Sequence, residues 1–139
     1  MTSTRFHIAF PVNDLETSRE FYTQVLGCSI GRETENWIDF NLYGHQLVAH
    51  LSPSDCLPSN KSLVDGDQIP VRHFGLILPW NEWGKLCKSF EDQELAFYIK
   101  PKIRFANKKG EQGTFFLNDP SGNILEFKSF KDFNFIFKK

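Results

Sequence analysis

Cysteine is scarce in this chain of 139 residues: Cys28, Cys56 and Cys87 make an odd number, and no CxxC or other metal-binding spacing joins them. A disulfide framework is therefore not expected, and a reducing cytoplasm is the simpler setting. An excess of one charge is also missing. Lys and Arg number 16 and Asp and Glu 17, for a net charge of −1. A surface that tracks phosphates needs a basic excess, so nucleic acid is not an expected partner. No apolar run approaches the ~20 residues that span a bilayer, which leaves out a membrane as partner. The first residues show no cationic stretch followed by an apolar one, so no secretory signal is visible.

What the chain does have is phenylalanine, 15 residues within an apolar share of 40%. That is enough for a real core, and the excess favours strands and aromatic-lined cavities. The length suits a single domain over residues 1–139. The basic tail (Lys131, Lys138, Lys139) carries Phe133, Phe135, Ile136 and Phe137 among its charges. It reads as a docked segment as readily as a frayed one.

Periodicity divides the chain into two similar halves. Residues 5–12 alternate, with Phe6, Ile8, Phe10 and Val12 on one face and Arg5, His7, Ala9 and Pro11 on the other, as in a strand with one oily side. Asn13 and Glu16 have the spacing of a helix-capping box, and a helix over about 14–26 fits, stopped by Gly27. Strands are expected at 28–33, 37–42 and 46–51, with a turn at Tyr43-Gly44. Residues 52–70, rich in Pro and Ser, read as a linker or lid loop. The order then repeats, with a strand at 71–78 and a helix at 81–92. Trp83, Leu86, Cys87 and Phe90 form the stripe of that helix. Further strands are expected at about 95–100, 112–118 and 123–129, the last two joined by the turn Asp119-Pro120-Ser121-Gly122. The halves match best with His7 laid on His73, an internal duplication that defines the architecture. The expected modules span about 5–51 and 71–129.

His7 and His73 each lie on the strand face opposite the oily one. In residues 123–129, Leu125 and Phe127 make the oily face and Glu126 points the other way. If the sheets curl, these three faces converge. Two neutral imidazoles and one carboxylate form a triad that leaves metal positions open and suits non-haem Fe(II); Zn, Mn or Ni accept the same donors. Read from pattern alone, ordinary strand histidines and a solvated glutamate fit equally well.

Three stretches, FHIAFPVNDLETSREFYTQVLG (6–27), VRHFGLIL (71–78) and FFLNDPSGNILEFK (115–128), resemble the vicinal oxygen chelate superfamily of glyoxalases, bleomycin-resistance proteins and extradiol dioxygenases. The resemblance runs from about residue 5 to 130. It implies an α+β fold, in which two βαβββ modules form a cup-shaped mixed β-sheet with helices outside, and metal ligands at His7, His73 and Glu126. The stretches DFNLYGHQLVAHL (39–51) and GEQGTFFLNDPSGNILEFK (110–128) look most like a small group described as predicted extradiol-type dioxygenases.

The expected function is therefore a metal-dependent dioxygenase, using Fe(II) on a small dihydroxy-aromatic or similar chelating substrate, in a homodimer. His50 shares a face with Gln46 and Val48 and is the candidate proton-moving residue, with a fourth ligand as the alternative. His45, beside the turn glycine, reads as structural or solvent-facing. Arg104, Gln112 and Phe116 are candidates for substrate binding; Phe115, Phe116 and Trp37 could line an aromatic pocket, with core packing their more ordinary duty. Two features depart from well-studied extradiol enzymes: two modules where many have four, and Phe115 and Phe116 where an active-site tyrosine is expected. A glyoxalase-type lyase or isomerase is a second reading, but it needs a carboxylate base on strand 46–51, where the face offers Gln46, Val48 and His50. A non-catalytic drug-binding protein is a third; such proteins usually lack the triad.

Overall fold

The computed structural model of the chain describes residues 2–139. They divide into two compact units: everything up to Pro58 together with Asp119–Asn123, and Ser59–Asn118 together with Ile124–Lys139. Both are mixed α+β, and the predicted strand-helix-three-strand order recurs in each.

In the first unit β1 (His7–Val12) leads into α1 (Leu15–Glu20), which continues as a π-helical turn over Phe21–Val25; β2 (Ser29–Glu33), β3 (Trp37–Leu42) and β4 (His45–Leu51) follow. The sheet order is β1-β4-β3-β2, with β1 parallel to β4 and the other pairs antiparallel. Alternation sets the faces. Phe10, Ile38, Phe40, Leu42, Leu47 and Ala49 are buried. Tyr22, from the π-helical turn, stacks on Phe40 at 4.9 Å and tilts against Phe10 at 5.6 Å. The helix starts one residue later than the capping-box spacing predicts. Asp14 is the cap, its carboxylate accepting the Thr17 N–H at 2.7 Å. Asn13 is engaged elsewhere, exchanging hydrogen bonds with the Ser121 hydroxyl at 2.9 and 3.1 Å. The predicted turn at 119–122 forms around Asp119. Its carboxylate accepts from the Ser121 and Asn123 N–H groups, the Asn123 amide and the Tyr22 hydroxyl, each at 2.8 Å. Burial pushes the Asp119 carboxyl above its usual range, against the pull of those donors.

The stretch expected as a linker is instead largely ordered. A 3-10 turn at Pro53–Asp55 precedes a hairpin of β5 (Lys61–Val64) and β6 (Asp67–Pro70). Asp65 (φ 47°) and Gly66 (φ 83°) form its two-residue turn, the left-handed pair that Asp-Gly supplies at low cost.

In the second unit β7 (Phe74–Ile77), α2 (Trp80–Asp92), β8 (Ile99–Arg104), β9 (Gln112–Asn118) and β10 (Ile124–Phe130) pair in the order β7-β10-β9-β8, again with one parallel pair. β8 lies at 99–104 rather than 95–100 because the preceding residues close α2. The Leu95 N–H donates to the Phe90 carbonyl at 3.0 Å, and Glu94 has φ 56°. The Phe-rich core sits under α2. Phe115 stacks on Phe127 at 5.3 Å and meets Phe90 edge-on at 5.8 Å, and the Trp83 indole N–H donates to the Phe127 carbonyl at 2.9 Å. The tail forms a 3-10 turn at Phe133–Phe135 capped by Asp132, while Phe137 stays 95% exposed. Among the described residues no helix is long and apolar enough to cross a membrane.

Candidate metal site

In the second unit, alternation along β10 sends Leu125 and Phe127 into the core and leaves Glu126 on the opposite face. His73 immediately precedes β7, and the parallel register sets Gly75 opposite Glu126. This brings His73 Nε2 to 3.3 Å from Glu126 Oε1, with 27% and 15% of the two side chains exposed. Each group is held from behind. The His73 Nδ1–H donates to the Pro70 carbonyl at 2.7 Å. The Thr114 hydroxyl donates to Glu126 Oε2 at 2.6 Å. Nε2 and Oε1 are thereby left facing one another. The Phe116 ring stands at 70° to the His73 ring, centroids 5.5 Å apart, and flanks the pair.

The electrostatics follow. The hydrogen bond to Glu126 raises the His73 pKa above 6.5, against a desolvation that lowers it. Burial alone would raise Glu126, but His73 and Thr114 outweigh it, and its carboxyl lies below 4.5. Two donors about 2.1 Å from one ion and at right angles lie about 3 Å apart. The 3.3 Å gap therefore suits a divalent cation in place of the shared proton. Back-bonding of the remaining imidazole nitrogen and carboxylate oxygen is how proteins orient metal ligands.

In the first unit His7 is exposed at the start of β1 and paired in register with Gln46. Its Nδ1 lies 2.8 Å from Gln46 Oε1, so its Nε2 is the nitrogen left open. Among the described residues no group of three or more His, Cys, Asp or Glu side chains is gathered closely enough to hold a metal ion. The His73–Glu126 pair is what the second unit provides by itself.

The registers also locate His50. In the first unit Ala9, two residues after His7, pairs with Val48; in the second Gly75, two after His73, pairs with Glu126. Val48 thus holds within its unit the place of Glu126, and an apolar side chain stands there. His50 lies four residues along β4 from Gln46, the neighbour of His7. That is about 13 Å along a strand, out of reach of one shared ion for side chains standing off the sheet. His45 is structural, its Nδ1 accepting the Phe6 N–H at 3.0 Å.

The substrate candidates divide. Arg104 is buried, 6% exposed, with its guanidinium 3.0 Å from both Asp65 and Asp67. It clamps the β5–β6 turn and has no unpaired charge to offer. Gln112 is half-buried and lies on the β9 face shared by Thr114 and Phe116. Phe116 is 1% exposed and packs with Ile69 and Ile124. Sequence reasoning missed three supporting residues: Thr114, Asp39 and Gly75. A signal for Thr114 existed. Pairing the strands outward from the 119–122 turn sets Thr114 opposite Lys128, diagonal to Glu126. Gly75 has a steric reason, since a Cβ there would lie 1.7 Å from the Glu126 carbonyl oxygen.

A doubled strand-helix-three-strand chain with back-bonded His and Glu on one face belongs to the class of paired βαβββ proteins. The chain is a member of the glyoxalase/bleomycin resistance protein/dioxygenase superfamily, whose family model matches residues 5–127. It is similar to a crystal structure described as a glyoxalase/bleomycin resistance protein/dioxygenase from Alicyclobacillus acidocaldarius, at 32% identity over 96% of both chains with a TM-score of 0.79. A genomically encoded fosfomycin resistance protein from Listeria monocytogenes shares the fold at 14% identity, covering 93% of this chain and 94% of that one (TM-score 0.63). So does a lactoylglutathione lyase from Agrobacterium tumefaciens at 16% identity, over 92% and 94% (TM-score 0.61). No curated protein matches the chain.

Proposed function

We propose that the protein is a metal-dependent enzyme of the extradiol dioxygenase type, holding Fe(II) through His73, Glu126 and His7 and acting on a small dihydroxy-aromatic or similar chelating substrate. The observation that carries the metal reading is the 3.3 Å approach of His73 Nε2 to Glu126 Oε1, with Nδ1 and Oε2 both occupied from behind. An Fe(II) ion with one carboxylate and two imidazoles would supply a positively charged Lewis acid with open positions for both substrate oxygens and for O2. The chain's own residues do the rest. Glu126, kept ionised by His73 and Thr114, supplies the single negative charge of the donor set. Phe116 flanks the pair with an apolar ring. His50, exposed and beyond ligating distance of His7, is proposed to move a proton to or from bound substrate.

Strand β4 carries no carboxylate on the face of Val48, which favours this reading over a lyase. The place on β4 equivalent to Glu126 is Val48, and the flanking residues of that face are Gln46 and His50. The class is tested by O2 uptake in protein loaded anaerobically with Fe(II) and offered a panel of dihydroxy-aromatic compounds. Stoichiometric O2 consumption with ring-opened products is expected. Turnover of a hemithioacetal by the Zn- or Ni-loaded chain, with no O2 uptake, would overturn the dioxygenase assignment in favour of a lyase. A homodimer in a cytoplasmic setting is proposed with it.

A further inference from the structure

The two candidate histidines are oriented by different means. A backbone carbonyl fixes His73, whereas His7 is held by a side chain that is itself held. Gln46 places Oε1 2.8 Å from His7 Nδ1 and Nε2 3.4 Å from Asp39 Oδ2. Asp39, only 8% exposed, also lies 3.8 Å from the Arg32 guanidinium. The register puts all three on one sheet face: His7 and Asn41 flank Gln46, and Asp39 pairs with Val48.

Counting protons fixes the directions. A carboxylate has none to give, so the edge of the Gln46 amide that faces Asp39 must be its NH2. The carbonyl then faces His7, and a carbonyl only accepts, so Nδ1 must carry the imidazole proton. Nε2 is left with its lone pair. Without Asp39 the amide is free to flip. Flipped, it presents N–H to Nδ1, which moves the imidazole proton to Nε2 and closes that nitrogen to a cation.

We propose that Asp39 is a positioning residue that, acting through Gln46, sets the tautomer of His7 and keeps its Nε2 open for a metal. The purpose rests on the metal reading above; the tautomer itself is a property of the metal-free chain.

The test is a ring-nitrogen NMR correlation spectrum of metal-free, 15N-histidine-labelled protein at about pH 9, well above the ordinary imidazole range, paired with a zinc titration. The wild type is expected to show His7 as the Nδ1–H tautomer. Asp39→Asn, whose amide can donate to a flipped Gln46, is expected to show both tautomers at His7, an unchanged His73, and zinc affinity reduced about tenfold. A pure Nδ1–H tautomer at His7 in Asp39→Asn overturns the proposal. Should that variant not fold, Gln46→Met, at an exposed position, takes its place. Mixed tautomers at His7 are expected there too, and a pure Nδ1–H form overturns the proposal. A tautomer shift in Asp39→Asn without zinc uptake by either chain upholds the role of Asp39 and defeats the metal reading instead.

Discussion

At the scale of single residues, the proton and the metal compete for the same pair of atoms. The folded chain holds the His73 proton more tightly than the unfolded chain, so this group stabilises below pH 6.5, and the contribution is lost as pH rises through its raised pKa. Glu126 has the opposite sign. Its contribution is present above pH 4.5 and is lost as pH falls through its lowered pKa. The metal-free pair therefore stabilises most between the two, which urea unfolding across pH should show. Metal binding requires a neutral imidazole. Zinc affinity is accordingly expected to rise about tenfold per pH unit for each ligand imidazole still protonated and to level off once both are neutral, measurable by competition with a chelator. Thr114→Val removes the hydroxyl behind Glu126 while keeping the shape of the side chain. Its expected effect is a loss of about tenfold in metal affinity, read in the same titration.

At the scale of elements, strand register decides which side chains meet. The approach of β7 to β10 depends on Gly75, where a Cβ would collide with the Glu126 carbonyl oxygen at 1.7 Å. Gly75→Ala is expected to push the strands apart, costing about 3 kcal/mol in urea unfolding and weakening metal binding as well. Unchanged stability would show that the backbone gives way freely there. Gly113 has a similar duty on the other face, where a Cβ would lie 2.5 Å from the Trp83 ring.

Register also separates what was legible in the sequence from what was not. Alternation in 5–12 and 123–129 announced that His7 and Glu126 lie opposite the oily side, because a period of two carries the face directly. The repeat of strand and helix order was visible for the same reason. Partners across strands needed one step more. Thr114 behind Glu126, and Asp39 behind Gln46, emerge only when the strands are paired outward from the 119–122 and 43–44 turns, a register that alternation along one strand does not contain. Arg104 looked available to a substrate because its partners Asp65 and Asp67 lie 39 and 37 residues away, in a segment expected to be a loop. There the Asp65-Gly66 pair was a readable hairpin signal masked by the Pro and Ser around it. The late start of α1 reflects the engagement of Asn13 with Ser121, 108 residues distant.

At the scale of the whole molecule, the two units repeat one strand order, and their chemistry has diverged at equivalent places. Glu126 stands where the first unit has Val48, and His73 is tied to a carbonyl where His7 is tied to Gln46. With a histidine at the corresponding place of each unit, His7 and His73, and a carboxylate at only one of the two places that Glu126 and Val48 occupy, the proposed donors make one set rather than two. His73→Ala is expected to abolish metal uptake while leaving the circular dichroism spectrum and cooperative unfolding intact, since 27% of its side chain is exposed and the Phe115–Phe127 core under α2 lies on the other face. His50→Ala is expected to keep the metal and slow turnover; loss of metal in that variant would make His50 a ligand. The most direct test of the central claim is elemental analysis joined to X-ray absorption spectroscopy on protein purified without oxygen. The account predicts one iron per chain, with two imidazole nitrogens and carboxylate oxygen in its coordination. A chain that takes up no metal, or an ion with no imidazole bound, would contradict it.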